Sequence, residues 1–315
     1  MDNKMTKLAL VFPGQGSQTV GMLSELYGEF ATVRETFDEA SKALGYDLWA
    51  LVANGPEADL NETHRTQPAL LTASVAIWRL WQQQGGATPS FMAGHSLGEY
   101  SALVCSGALS LSDAVKLVEK RGQYMQTAVP AGTGAMQAII GLDDELIAKA
   151  CAEASQDEVV SPVNFNSPGQ VVIAGNKAAV ERAGELCKAY GAKRALPLPV
   201  SVPSHCALMK PAAEKLSIDL AGLHFHPTVI PVLNNVDVAI AVAQNDVKDA
   251  LIRQLFSPVR WTESIEWLAA QGVTDVVEIG AGKVLAGLIK RIDKNLNTYS
   301  VNDVTSLNNA LNPTT

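Results

Sequence analysis

A chain of 315 residues that is 47% hydrophobic and 18% charged is long enough to bury one large core or two, as a globular protein does. Its 32 acidic side chains outnumber its 24 basic ones for a formal charge of −8, so the long-range potential repels nucleic acid and anionic membranes, and neither is expected as a partner. Four scattered cysteines without a C-x-x-C pair indicate neither a zinc site nor a disulfide framework.

The start, MDNKMTKLALVF, lacks the apolar core and cleavage site of a secretory signal, and no stretch is long enough to span a bilayer, so a cytoplasmic protein is expected. Residues 7–12, KLALVF, read as a buried strand ended by Pro13 and Gly14. Helical patterns follow around 20–45 and 67–84, and a second strand, 90–94, runs straight into GHSLGE. Short apolar strands alternating with helices predict a parallel sheet covered on both faces.

Two joints then stand out: AVPAGTGA (128–135), rich in small residues, and LPLPVSVPS (196–204), with Pro197, Pro199 and Pro203. Between them the pattern is strand 136–140, helix 143–154, strand 159–165, strand 170–174, helix 177–190 and strand 192–198, the βαββαβ order of a ferredoxin-like unit. The expected organisation is a small ferredoxin-like domain, 129–203, inserted into a larger α/β domain made of 1–128 and 204–315. From 205 helix and strand alternate again to DVVEIG and the helix KVLAGLIKRI, and the Asn-rich end, 302–315, is expected to fray.

Gly94-His95-Ser96-Leu97-Gly98 matches G-x-S-x-G, in which the glycines let a strand turn sharply into a helix and hold the serine hydroxyl clear of the backbone. The turn also puts Ser96 at a helix amino terminus, where an amide such as that of Leu97 can stabilise a developing oxyanion. The bland alternative is a small-residue turn with a buried serine. A serine hydroxyl needs a base, and there are five histidines. His95 should point away from its neighbour, His64 lies in a polar run, and His224 and His226 lack a third metal ligand. His205, in VPSHCALM at the second joint, sits where a cleft between domains would form.

Asp113, Asp143 and Asp144 lie between serine and histidine, but each falls at a predicted helix start, where capping explains it. No histidine follows His226, unlike the late histidine of true α/β-hydrolases. A backbone carbonyl can orient an imidazole instead, and ALIRQLFSPVRW offers some, because its helix must stop near Pro258. Arg121 falls on the apolar stripe of Leu111, Ala114, Val118 and Met125, and an inward guanidinium requires an anion: a structural carboxylate, or that of a substrate held bidentately. Phe12-Pro13-Gly14-Gln15-Gly16-Ser17-Gln18 fails the dinucleotide pattern at Thr19 but can donate a backbone amide; Gly280-Ala281-Gly282-Lys283 lacks the P-loop spacing and reads as a tight turn.

FPGQGSQ, TQPALLTASVAIW, GHSLGEYSAL, Arg121, VPSHCALM, NNVD (234–237), Q-L-x-x-P-V-x-W (254–261) and GAGKVL stand in order. With these motifs the chain, from about residue 8 to about residue 292, closely resembles the malonyl-CoA:acyl carrier protein transacylases of bacterial fatty acid synthesis. The resemblance implies a hydrolase-like α/β large domain with a ferredoxin-like insert. It implies Ser96 as acylated nucleophile and His205 as general acid/base, with the Gln254 carbonyl orienting His205. It further implies the amides of Gln15 and Leu97 as oxyanion hole, and Arg121 as holder of the malonyl carboxylate. Ala281, where many relatives have Pro, and the variable Asn234 depart from the pattern without touching the chemistry. The substrates implied are malonyl-CoA and phosphopantetheinylated acyl carrier protein, with no cofactor or metal, in a monomer. Lys193, Arg194, Lys283, Lys290 and Arg291 are candidates for a landing surface for an acidic carrier protein, or simply solvated faces. Two rivals remain open: a serine hydrolase of thioesters or esters, and a non-catalytic carrier-docking module.

Overall fold

The computed structural model describes residues 7–200 and 202–313. Residues 1–6, on which part of the amino-terminal reading rests, residue 201 of the second joint and residues 314–315 of the Asn-rich end lie outside the described residues.

The first strand, β1 (Leu8–Phe12), is buried along its whole length. Its alternate side chains serve two cores: Leu8, Leu10 and Phe12 join one apolar cluster, Ala9 and Val11 the other. An unbroken apolar run suits only a strand covered on both faces, and each large side chain so buried stabilises the fold by about 1.5–3 kcal/mol. Five helices follow: α1 (Ser24–Glu29), α2 (Ala31–Leu44), α3 (Leu48–Asn54), α4 (Glu57–Leu60) and α5 (Thr63–Gln83). The helical pattern read over 20–45 is thus two helices, broken where Phe30 turns extended. Next come β2 (Phe91–Gly94), α6 (Leu97–Cys105) and α7 (Leu111–Thr127).

The segment between the joints forms β3 (Gly134–Ile140), α8 (Asp144–Ser155), β4 (Val160–Ser167), β5 (Gln170–Asn176), α9 (Lys177–Ala189) and β6 (Arg194–Pro197). These strands make a separate antiparallel sheet of order β4-β5-β3-β6, the ferredoxin-like arrangement. One face, with Ile139, Val171 and Ile173, packs on α8 and α9. The other face, with Met136, Val172 and Ala174, packs on Cys206, and Leu198, Val200 and Leu208 join it. The period-two alternation of β5 therefore seats the loop that carries His205.

The chain then returns through α10 (Lys210–Ala221), β7 (Val232–Leu233), α11 (Gln244–Gln254), α12 (Trp261–Ala270), β8 (Asp275–Ile279), α13 (Val284–Ile292), β9 (Asn297–Val301) and α14 (Val304–Leu311). The large sheet is parallel throughout, in the order β7-β2-β1-β8-β9. Its central neighbours β1 and β2 bring the 13–18 loop and Ser96 side by side at their carboxyl ends, where open α/β sheets bind ligands. A parallel bridge between Asn164 and Val259 ties the small sheet to the segment just past α11.

Two local expectations are corrected. The Asn-rich end does not fray from 302: Asp303 and Ser306 close a capping box, and α14 buries Leu307 and Ala310. At α7 the cap is Ser110, whose hydroxyl accepts from Asp113 N at 3.1 Å, and Asp143 occupies a cap position without a side-chain capping bond.

Candidate active site

Ser96 joins β2 to α6 with φ 53° and ψ −112°, a left-handed backbone that costs a residue with a Cβ about 1–3 kcal/mol. Close approach explains the flanking glycines. A methyl group on Gly98 would lie 2.0 Å from the Phe12 carbonyl oxygen, and one on Gly94 would lie 1.8 Å from the Gly98 carbonyl carbon. Strand, turn and helix can meet at that distance only as bare backbone. The strained turn is held on both sides: Ser96 N donates to Asn235 Oδ1 at 2.8 Å, and Gln254 Nε2 donates to Ser96 O at 3.0 Å.

The Ser96 hydroxyl lies 2.7 Å from His205 Nε2. His205 sits against the carboxyl end of α11, where the helix leaves carbonyls unpaired. Its backbone N–H donates to Leu255 O at 3.0 Å and its Nδ1–H to Gln254 O at 2.7 Å. A carbonyl can only accept, so the proton is on Nδ1 and Nε2 presents its lone pair to the serine. Burial, with the Arg121 charge beside it, lowers the His205 pKa to about 3, which keeps the imidazole neutral. The last carbonyls of α11 also favour an imidazolium once it forms.

Arg121, on α7, is 1% exposed. Its Nη1 donates to Gln67 Oε1 at 2.8 Å; its Nη2 donates to Gln254 Oε1 at 3.0 Å and to Ser96 Oγ at 3.3 Å. Nε has no partner among the described residues, and none of the bonds of this guanidinium goes to a carboxylate. Burial lowers its proton affinity, and a desolvated cation held by neutral amides is a site for an anion. Gln15, Leu97, Ser96, Arg121 and His205 all line one cleft of about 380 Å³, together with Met136, Leu198 and Val200 from the small sheet and its exit. Of the first amides of α6, Gly98 N and Glu99 N are taken by His95 O and Ser96 O. Gln15 Nε2 reaches Thr63 Oγ1 at 3.3 Å.

The remaining histidines bond elsewhere, although His95 also lines the cleft. His95 turns away, as expected, with Nε2 at 2.7 Å from Asn166 Oδ1 and its backbone N–H on Phe12 O. His64 meets Gln126 at 2.9 Å. His224 and His226 face each other with ring centroids 4.7 Å apart, in a loop. Among the described residues there is no group of three or more potential metal ligands, and no helix is long and apolar enough to cross a membrane. Lys193, Arg194, Lys283, Lys290 and Arg291 are exposed.

The sequence reading assigned nothing to Gln67, Glu99, Asn166 or Asn235, yet each lies within bonding distance of the elbow or its partners. Gln67 carried a signal, a lone amide opening the apolar run of α5, the same anomaly that exposed Arg121.

A serine on a strand–helix elbow, its lone-pair partner set by a helix-end carbonyl, is an arrangement suited to serine acyl transfer, on a hydrolase-like α/β fold. Residues 9–308 match the acyl transferase domain family. The chain is 64% identical over 307 residues to the malonyl CoA-acyl carrier protein transacylase of Salmonella typhimurium, covering 98% of this chain and 99% of the other. It is 49% identical over 300 residues to that of Bacillus subtilis, covering 95% and 94%. An acyl carrier protein S-malonyltransferase from Vibrio cholerae matches in structure with a TM-score of 0.94 at 68% identity, over 96% of this chain and 99% of the other. A malonyl-transacylase solved in complex with a type II PKS acyl-carrier protein matches with a TM-score of 0.97 at 62% identity, over 98% and 100%. The chain belongs to the malonyl CoA-acyl carrier protein transacylase family.

Proposed function

We propose that the protein moves a malonyl group from malonyl-CoA to the phosphopantetheine thiol of an acyl carrier protein through a malonyl ester on Ser96. The single observation that carries this reading is the Ser96 hydroxyl, 2.7 Å from His205 Nε2 and 3.3 Å from a buried, carboxylate-free Arg121. His205 takes the hydroxyl proton as Oγ attacks the thioester, and the amides of Gln15 and Leu97 hold the oxyanion. Collapse expels the coenzyme A thiolate, which His205 protonates. The carrier thiol then gives its proton to His205 and attacks the ester; the bond to Ser96 Oγ breaks, His205 returns the proton to Oγ, and the malonyl group leaves on the carrier thiol. One thioester replaces another, so the exchange needs no cofactor or metal. Arg121 receives the malonyl carboxylate and positions the acyl group for a thiol in place of water.

The cleft lies between a large domain of residues 1–128 and 204–315 and an inserted domain of 129–203, in a cytoplasmic monomer. The exposed Lys193, Arg194, Lys283, Lys290 and Arg291 give an acidic carrier protein a landing surface.

Intact-mass spectrometry after incubation with malonyl-CoA is expected to show one malonyl unit on the protein. Holo carrier protein should then remove that unit and carry it. Release as free malonate at the same rate would make the protein a hydrolase instead.

A neutral His205 has a consequence for pH. Its depressed pKa means that the base form persists well below the ordinary histidine midpoint of about 6.5, down toward about 3. The initial rate of Ser96 acylation is therefore expected to stay level from about pH 8 to about pH 5, without the inflection of a solvated histidine. An acid limb centred near the ordinary midpoint would show that water reaches the ring.

A further inference from the structure

Beneath the elbow lies a group of buried polar side chains that nucleophile, base and clamp leave unexplained. Glu99, in the first turn of α6, is buried. Its Oε2 accepts from two donors, Asn235 N at 3.0 Å and Gln254 Nε2 at 2.9 Å. Each of these then grips a different part of the site. Asn235 spans the elbow: Oδ1 accepts from Ser96 N at 2.8 Å and Nδ2 donates to Gly94 O at 2.6 Å. Gln254 reaches the guanidinium: its Oε1 accepts from Arg121 Nη2 at 3.0 Å, while its Nε2 also donates to Ser96 O and Asn235 Oδ1.

The amide of Gln254 has one orientation that sets donor against acceptor at every partner, its two N–H groups shared among three acceptors, and Glu99 selects it from one end as Arg121 does from the other. With the amide reversed, its NH2 would face the guanidinium and its oxygen would face Glu99, leaving donor against donor and acceptor against acceptor. Glu99 also fixes the backbone of Asn235, from which that side chain reaches back to the turn. Burial pushes the Glu99 pKa up to about 7, against the opposing pull of the Asn235 and Gln254 donors. The neutral acid is thus accessible near neutrality, and it keeps an oxygen that can accept at the same place.

We propose that Glu99 is a positioning residue for acyl transfer: the acceptor oxygen it places under the elbow sets Asn235 and Gln254, and through them the Ser96 turn and the Arg121 fork. This rests on the assignment of Ser96 as nucleophile and Arg121 as carboxylate clamp. What matters is where the oxygen lies, and its charge is secondary. Glu99→Gln keeps an oxygen at that reach without the charge. Glu99→Asp keeps the charge and withdraws the oxygen by one methylene.

The test measures kcat and KM for Ser96 acylation by malonyl-CoA and by acetyl-CoA, with thermal unfolding alongside. Glu99→Gln is expected within about threefold of the unaltered protein for both substrates, whereas Glu99→Asp should lose about tenfold or more in kcat for both and lower the malonyl-to-acetyl ratio. Asn235→Ala removes the elbow bonds and one of the three acceptors of Gln254 Nε2 but keeps the Glu99–Gln254 and Gln254–Arg121 bonds, so it should lower kcat for both about tenfold and leave that ratio as it was. Equal rates for the two Glu99 variants, or Asp above Gln, overturn the proposal, as does a ratio that Glu99→Asp leaves unchanged. An unaltered protein that neither thioester acylates at Ser96 would instead overturn the assignment on which it rests, so the two failures are distinguishable.

Discussion

Ser96→Ala is expected to gain no malonyl mass from malonyl-CoA, with carrier-protein malonylation slower by about 10⁴-fold or more, the scale on which a serine nucleophile is lost. The variant should fold, for reasons that lie in the backbone. Alanine adds no atom to the turn, and the left-handed conformation at φ 53° is one that serine already sustains with a Cβ. The two bonds that hold the turn use Ser96 N and Ser96 O, so both survive the substitution. The side-chain losses are His205 Nε2, left without its donor, and one of the acceptors of Arg121 Nη2, both beside a cleft that water can enter. Unfolding near the temperature of the unaltered protein together with absent labelling places the chemistry at Oγ. A malonyl adduct that persists in the variant ends the assignment of Ser96.

Much of this site could be read before any coordinates, because its signals are local. The two glycines around Ser96 announce a turn that tolerates no Cβ. The Pro-rich joint marks His205 as lying near a boundary, and Pro258 requires a helix to stop nearby with carbonyls unpaired. Arg121 betrayed itself by falling on an apolar stripe. Strands and helices were legible for the same reason: β1 and β5 are short unbroken apolar runs, and α7 and α9 have the three-to-four spacing that burial imposes.

What stayed hidden depends on which chain segments meet. Glu99 on α6, Asn235 past β7 and Gln254 at the end of α11 are far apart in sequence and form one hydrogen-bonded group only after the parallel sheet closes. Nothing in a run of residues says which distant carbonyl an amide will find. The same holds at finer scale for α7, where Ser110 and Asp113 are both good capping residues and the backbone geometry decides between them. At the chain's end, polar composition suggested fraying, but two apolar side chains and a capping box outweighed it.

Arg121→Ala is expected to lower kcat/KM for malonyl-CoA by about 2–3 kcal/mol more than for acetyl-CoA, roughly 30- to 150-fold in the ratio, which is the size of a charge-assisted bond to a carboxylate. Acetyl carries no such group, so it reports everything else the substitution disturbs. That remainder includes Gln67 Oε1 and Gln254 Oε1, which lose their donors, and Ser96 Oγ, which loses a donated bond. It also includes a relief, since a buried guanidinium held only by neutral acceptors is costly to desolvate. These opposed effects act on both substrates, and the ratio cancels them. Arg121→Lys should recover only part of the preference: an ammonium supplies the charge but cannot keep both glutamine oxygens in a planar fork while meeting a carboxylate edge-on. A ratio unmoved by Arg121→Ala would make the arginine a structural strut between α5 and α11, and the selectivity for an acid-tailed acyl group would have to come from another part of the cleft.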